Sequence, residues 1–172
     1  MELVVGVSLR ALVGRQDIAL EDKLAWLTAI ARALAAAHRA DLIHRDVKPD
    51  NVMVSDTGLV KVLDFGIARA APDSAAQESL PTLTAEGVVI GTPAYMAPEQ
   101  LLREDMDGRA DQFAWGVLAF ELLTGRIPWG EGDGLTIVSR ILKDKREAIG
   151  DVVSELPTVW SQAIERALSP VP

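Results

Sequence analysis

Ile43-His44-Arg45-Asp46-Val47-Lys48-Pro49-Asp50-Asn51, followed by Leu63-Asp64-Phe65-Gly66, is the stretch on which the reading of this chain turns. Between the two lie Val52-Met53-Val54 and Val60-Lys61-Val62, β-branched runs on either side of Ser55-Asp56-Thr57-Gly58. They predict a hairpin, with Gly58 available for a positive φ in the turn. Pairing the runs sets Asn51 on one side of the hairpin's open end and Asp64 on the other, thirteen positions away in sequence. An amide oxygen and a carboxylate at one opening suit a hard cation such as Mg²⁺, with water and phosphate oxygens completing its shell. Asp46 can face the same opening as a base, and Lys48 supplies a positive charge for phosphate. Carboxylate, amide, carboxylate and lysine together fit phosphoryl transfer better than hydrolysis by a nucleophile.

Outward from this stretch the chain is mostly helical. Ser8 is placed to cap a short helix through Leu12 that ends near Gly14. Leu24, Leu27, Ala31, Leu34 and His38 recur at spacings of three and four, predicting one buried face of a long helix that stops near Ala40. Residues 70–88 are rich in Ala, Ser, Thr and Pro without periodicity and are expected to form a mobile surface loop. Residues 109–124 are apolar on every side and stop at Gly125, as a helix lying in the core would. Asp133 is a candidate cap for a helix bearing Leu135, Val138, Ile141 and Leu142. Pro157 suits the first position of another, with Val159, Trp160, Ala163, Ile164, Ala167 and Leu168 inward.

Composition removes several classes of function. With 172 residues and 49% hydrophobic content, the chain can bury one sizeable core. A net charge of −8 argues against a nucleic-acid footprint, which needs a basic face, and favours basic substrates if anything. The absence of cysteine excludes disulfides and thiolate metal sites. Neither a signal peptide nor an apolar run of about 20 residues is present, so no membrane insertion and a cytoplasmic location are expected.

At this point a family resemblance enters. His44-Arg45-Asp46…Asn51 is similar to the protein-kinase catalytic loop, Asp64-Phe65-Gly66 to its D-F-G motif and Ala97-Pro98-Glu99 to its A-P-E motif, in the family's order. Gly91-Thr92-Pro93-Ala94-Tyr95-Met96 and Asp111 at the head of the apolar helix also match. The chain resembles the eukaryotic-like serine/threonine protein kinases of bacteria. The resemblance implies Asp46 as the group that orients the acceptor hydroxyl, with Lys48 at the transferring phosphate and Thr92 seating the acceptor. Asn51 and Asp64 would hold Mg²⁺ or Mn²⁺, with ATP as co-substrate. Glu2, Val4 and Ser8 would line the hinge near adenine and ribose, and Met53 would lie beneath the adenine. His44 would support Phe65, Gly66 would complete its motif, Asp111 would hold the catalytic loop from below, and Glu99 would pair with a family arginine. An arginine at position 45 implies control by a phosphate on the activation segment, 64–99, with Thr82 and Thr84 as the candidate sites. Partners would then be protein substrates, ATP, and the chain itself or another kinase acting on that segment.

Plainer readings apply to other features. His38 is expected simply on a helix face, and Gly130-Glu131-Gly132-Asp133-Gly134 is a surface turn because no strand precedes it. The family's Gly-rich loop, strand lysine and helix glutamate find no counterpart in these residues. The expectation is therefore an α+β, mainly helical C-terminal lobe over 1–172, running from hinge to penultimate helix, with one hairpin and no N-lobe sheet. Such a lobe would be inactive in isolation. The alternative is a non-catalytic binding module or pseudokinase-like scaffold, although a scaffold has no chemical need for Asp46, Lys48, Asn51 or Asp64.

Overall fold

The computed structural model describes residues 6–65 and 93–169. The expected loop over 70–88, and Glu2, Val4, Gly66, Thr82, Thr84 and Thr92, lie outside the described residues.

The hairpin forms as β2 (Val52–Val54) and β3 (Val60–Val62), antiparallel, with Val52 opposite Val62 and Met53 opposite Lys61. Its turn closes through Gly58 N–H donating to the Ser55 carbonyl at 2.9 Å, and Gly58 takes φ +78°. A third strand, β1 (Val7–Ser8), adds antiparallel to β2, with Val7 opposite Val54 and Ser8 opposite Met53. Gly6 lets this edge come in, since a Cβ there would meet the Val54 carbonyl oxygen at 2.4 Å. The expectation of a C-terminal lobe with a lone hairpin and no N-lobe sheet is thus corrected. The sheet is three-stranded across residues 7–62, consistent with a remnant of the N-lobe sheet, beside a mainly helical region over 93–167. A two-residue strand shows no alternation, so sequence pattern alone does not reveal it.

The first long helix, α1 (Leu20–His38), buries Leu27, Ile30, Leu34 and Ala37. The buried stripe is therefore rotated slightly from the predicted face, leaving Leu24, Ala31 and His38 at its margin. Next come α2 (Pro98–Leu102) and α3 (Gly108–Thr124), the latter the predicted core helix. Phe113, Val117, Leu118, Phe120 and Leu122 are each under 5% exposed. Each such side chain contributes about 1.5–3 kcal/mol on burial. Asp107 caps the start of α3 by accepting from Arg109 N–H, and Gly125 ends it at φ +79°. Trp115 Nε1 donates to the Leu27 carbonyl at 3.1 Å, locking α3 to α1.

Asp133 caps α4 (Gly134–Leu142), accepting from Thr136 N–H at 2.8 Å, and Ile137 and Ile141 supply its buried side. Leu135 and Leu142 on this helix are exposed. After the short α5 (Ile149–Val152), α6 (Thr158–Ala167) packs on α3 through Ile164 and, just past its end, Leu168. Val159 and Ala163 point outward, so the inner face is narrower than predicted. Among the described residues no helix is long and apolar enough to cross a membrane.

Candidate active site

Residues 43–51 have no regular structure until the tight turn Pro49–Asn51, so other elements must hold them. Asp111, in the first turn of α3 and 1% exposed, does most of this. Its Oδ2 accepts from His44 N–H and its Oδ1 from Arg45 N–H, each at 2.8 Å. His38 Nε2 reaches Oδ2 at 2.7 Å from the end of α1. Gly108 leaves room for that ring, since a Cβ there would lie 2.8 Å from His38 Nδ1. Two backbone N–H groups that a loop would otherwise strand inside the fold are thereby satisfied. Arg45 takes a left-handed φ of 68°, a strained conformation for a long side chain that these bonds hold in place. From the other side, Gln100 donates through Nε2 to the Arg45 carbonyl at 3.2 Å while its Oε1 accepts from Ala97 N–H at 2.9 Å. The A-P-E segment and the catalytic loop are thus tied directly.

On this support Asp46 faces outward, its side chain 48% exposed. Its Oδ2 accepts from Lys48 Nζ at 2.8 Å and from Asn51 Nδ2 at 3.0 Å. Asn51 Nδ2 also donates to the Asp46 carbonyl at 2.8 Å, so the amide's orientation is set and its Oδ1 faces away from these bonds. Leu63 N–H donates to the Asn51 carbonyl at 2.8 Å, bringing the exposed Asp64 next to the Asn51 end of the hairpin. Asp64, like Arg45, is left-handed, at φ 53°.

His44 is fully buried. Its Nδ1 accepts from Asp46 N–H at 3.3 Å, so Nε2 carries the proton and donates to the Leu63 carbonyl at 2.7 Å. The ring lies 4.8 Å from that of Phe65 at a tilted angle. Ser8 and Met53 are cross-strand neighbours, but the Ser8 hydroxyl is engaged within the fold: it donates to the Pro49 carbonyl and accepts from Arg10 N–H. Glu99 lines a cavity of about 310 Å³ with Asp107, Arg109, Gln112 and Arg166.

Sequence reasoning missed Gln100, the Asp111 contact of His38, and a cluster of Arg10, Asp50, Tyr95 and Glu121. Glu121 sits inside an apolar run at 7% exposure, and a buried acid in such a run is the signal that could have pointed to a cationic partner.

The donors near the opening suit a hard cation. Asn51 Oδ1 and the Asp64 carboxylate are both oxygen donors. That donor set matches Mg²⁺, which keeps water and phosphate oxygens in its shell.

The site is thus a carboxylate held between lysine and asparagine, on a loop anchored from a buried helix. The chain belongs to the protein kinase domain family, whose model matches residues 1–169. By family it is a serine/threonine protein kinase domain, and the match over nearly its whole length corrects the reading as a C-terminal lobe alone. It is 38% identical over 165 residues to the serine/threonine-protein kinase PknL of Mycobacterium tuberculosis, covering 95% of this chain and 40% of that protein. It is 43% identical over 148 residues to Pkn1 of Myxococcus xanthus, covering 83% of this chain and 20% of the relative. With the probable serine/threonine-protein kinase PknB of Bifidobacterium longum it shares 36% over 170 residues, covering 98% of this chain and 24% of the relative. The chain thus spans less than half the length of these relatives.

Proposed function

We propose that this site transfers the γ-phosphoryl group of ATP to serine or threonine hydroxyls of protein substrates. The observation that carries the reading is the Asp46 carboxylate, exposed and oriented by Lys48 and Asn51 on a loop whose backbone is fixed by Asp111. Asp46 accepts the hydroxyl proton as the hydroxyl oxygen bonds to phosphorus and the bond to the ADP oxygen breaks. Lys48 steadies the Asp46 carboxylate before reaction and offers its positive charge to the transferring group. Asn51 Oδ1 and Asp64 are the residues that would hold Mg²⁺, which when bound neutralises charge on the phosphates. Thr92 is proposed to seat the acceptor, and Glu2, Val4, Ser8 and Met53 to lie along the nucleotide. Thr82 and Thr84 are the proposed modification sites, and cytoplasm, which supplies ATP, is the proposed location.

The test is phosphate transfer by the full-length protein from Mg-ATP to a generic basic protein, with mass spectrometry of both products. Phosphoserine and phosphothreonine on the substrate are expected, with transfer abolished by chelating the metal and restored by Mg²⁺. Transfer to tyrosine, or none at all, would overturn the reading. Phosphate found only at positions other than Thr82 and Thr84 would remove those two as regulatory sites.

A further inference from the structure

Arg10 lies in the tight helical turn Leu9–Leu12, directly after β1, where the hydrophobic pattern offers it no role. Its guanidinium nonetheless meets three elements distant in sequence. Nε and Nη2 donate to Asp50, the shortest contact being Nη2 to Oδ2 at 2.9 Å. Nη1 donates to Glu121 Oε1 at 2.6 Å and Nη2 to the Tyr95 hydroxyl at 2.7 Å. The Tyr95 hydroxyl in turn donates to Glu121 Oε2, which closes the ring of contacts. Burial opposes the charge on Arg10, but the hydrogen bonds to Asp50, Tyr95 and Glu121 outweigh it and raise its pKa. Burial and the hydrogen bond to Glu121 likewise raise that of the Tyr95 phenol.

Asp50 belongs to the turn that ends in Asn51, and Tyr95 to the turn Pro93–Tyr95 that leads into the A-P-E segment. Glu121 is on the core helix α3, and Arg10 itself follows the strand that edges the sheet. Ser8 reinforces the first of these links by donating to the Pro49 carbonyl at 3.1 Å. One planar fork therefore touches the loop that carries Asp46 and the segment that follows Thr92, and braces both on the core. Only arginine offers donors fixed in such a fork; lysine is a point charge.

We infer that Arg10 is a positioning residue for phosphotransfer: its guanidinium holds the Pro49–Asn51 and Pro93–Tyr95 turns in one register against α3. The inference rests on the proposed kinase function, and it concerns the rate of the chemical step rather than nucleotide affinity. Arg10→Lys is the primary variant, because it keeps a positive charge beside the buried Glu121 while removing the fork. Asp50→Asn is the second, taking away one arm at an exposed position. Both are measured in the full-length protein by steady-state kinetics and by amide hydrogen exchange at Asn51 and Met96, whose N–H groups close the two turns.

For Arg10→Lys we expect exchange at both amides to rise about ten-fold or more, as it does where local opening becomes easier. We also expect kcat to fall about ten-fold with the KM for ATP within about two-fold, the split that marks a lost alignment. Asp50→Asn should show the same pattern more weakly, at the Asn51 amide above all. Unchanged exchange at both amides in both variants overturns the tie. Faster exchange with unchanged kcat overturns the positioning role. If the unaltered protein transfers no phosphate, the kinase reading fails, and the exchange data still decide whether Arg10 holds the two turns together.

Discussion

Replacing Asp46 with asparagine is expected to lower kcat by about 10²–10⁴-fold, the range of a lost general base, with the KM for ATP nearly unchanged. Asparagine keeps the side chain's size and can still accept from Asn51 Nδ2, so the loop should hold its shape. What it cannot do is take the acceptor's proton or pair electrostatically with Lys48. The thermal midpoint should hardly move, because the Asp46–Lys48 pair is a third to a half exposed, and such pairs contribute only about 0.2–1 kcal/mol. Kinetics and a melting curve on one preparation separate chemistry from folding. A kcat loss below about ten-fold would remove Asp46 from the reaction as written.

Asp111→Asn should give the opposite balance, with stability falling first and activity following. The carboxylate, itself 1% exposed, accepts two backbone N–H bonds and one from His38. Each hydrogen bond to a charged group is worth about 1.5–3 kcal/mol, and an amide can satisfy only one of the two loop N–H groups through its oxygen. A loss of about 3 kcal/mol is expected, which lowers the midpoint by about 6–12 °C for a domain of this size. The Arg45 backbone, left-handed and no longer pinned, should relax and carry Asp46 out of place. A midpoint within about 2 °C of the parent's would show that other contacts suffice to hold the loop.

Much of the site was legible because its chemistry is carried by short contiguous strings. His44 to Asn51 and Asp64 to Phe65 are near neighbours in sequence, and the hairpin that joins them has strong β-branched runs and a glycine turn. The apolar helix around Phe113 and Phe120 was equally plain, since a segment buried on all sides leaves no ambiguity about which face is inward. Other features were not legible, and the causes are physical. β1 is too short to alternate, and it exists because β2 offers an edge and Gly6 allows close approach. Arg10, Asp50, Tyr95 and Glu121 are spread over 111 positions, and only the fold brings them together. His38 has ordinary helical spacing, and nothing local says that its ring ends on Asp111. The outward turn of Val159 depends on how tightly α6 docks, which propensity does not record.

The sheet's edge also orders how the molecule assembles. β2 and β3 are joined by a few residues, so they can meet early and on their own. β1 must instead find Val54 from Val7, with the whole of α1 in the intervening loop. Closing the longer loop costs about 1.8 kcal/mol more than closing the hairpin, and two paired residues repay little of it. Docking of β1 therefore waits until α1 has packed, and on the way out it is the first pairing to be lost. Pulse-labelled exchange during refolding should protect the β2–β3 amides before those of β1, and simultaneous protection would contradict this order. Ser8, which pairs with Met53 only through β1, would then be the last part of the three-stranded sheet to become native.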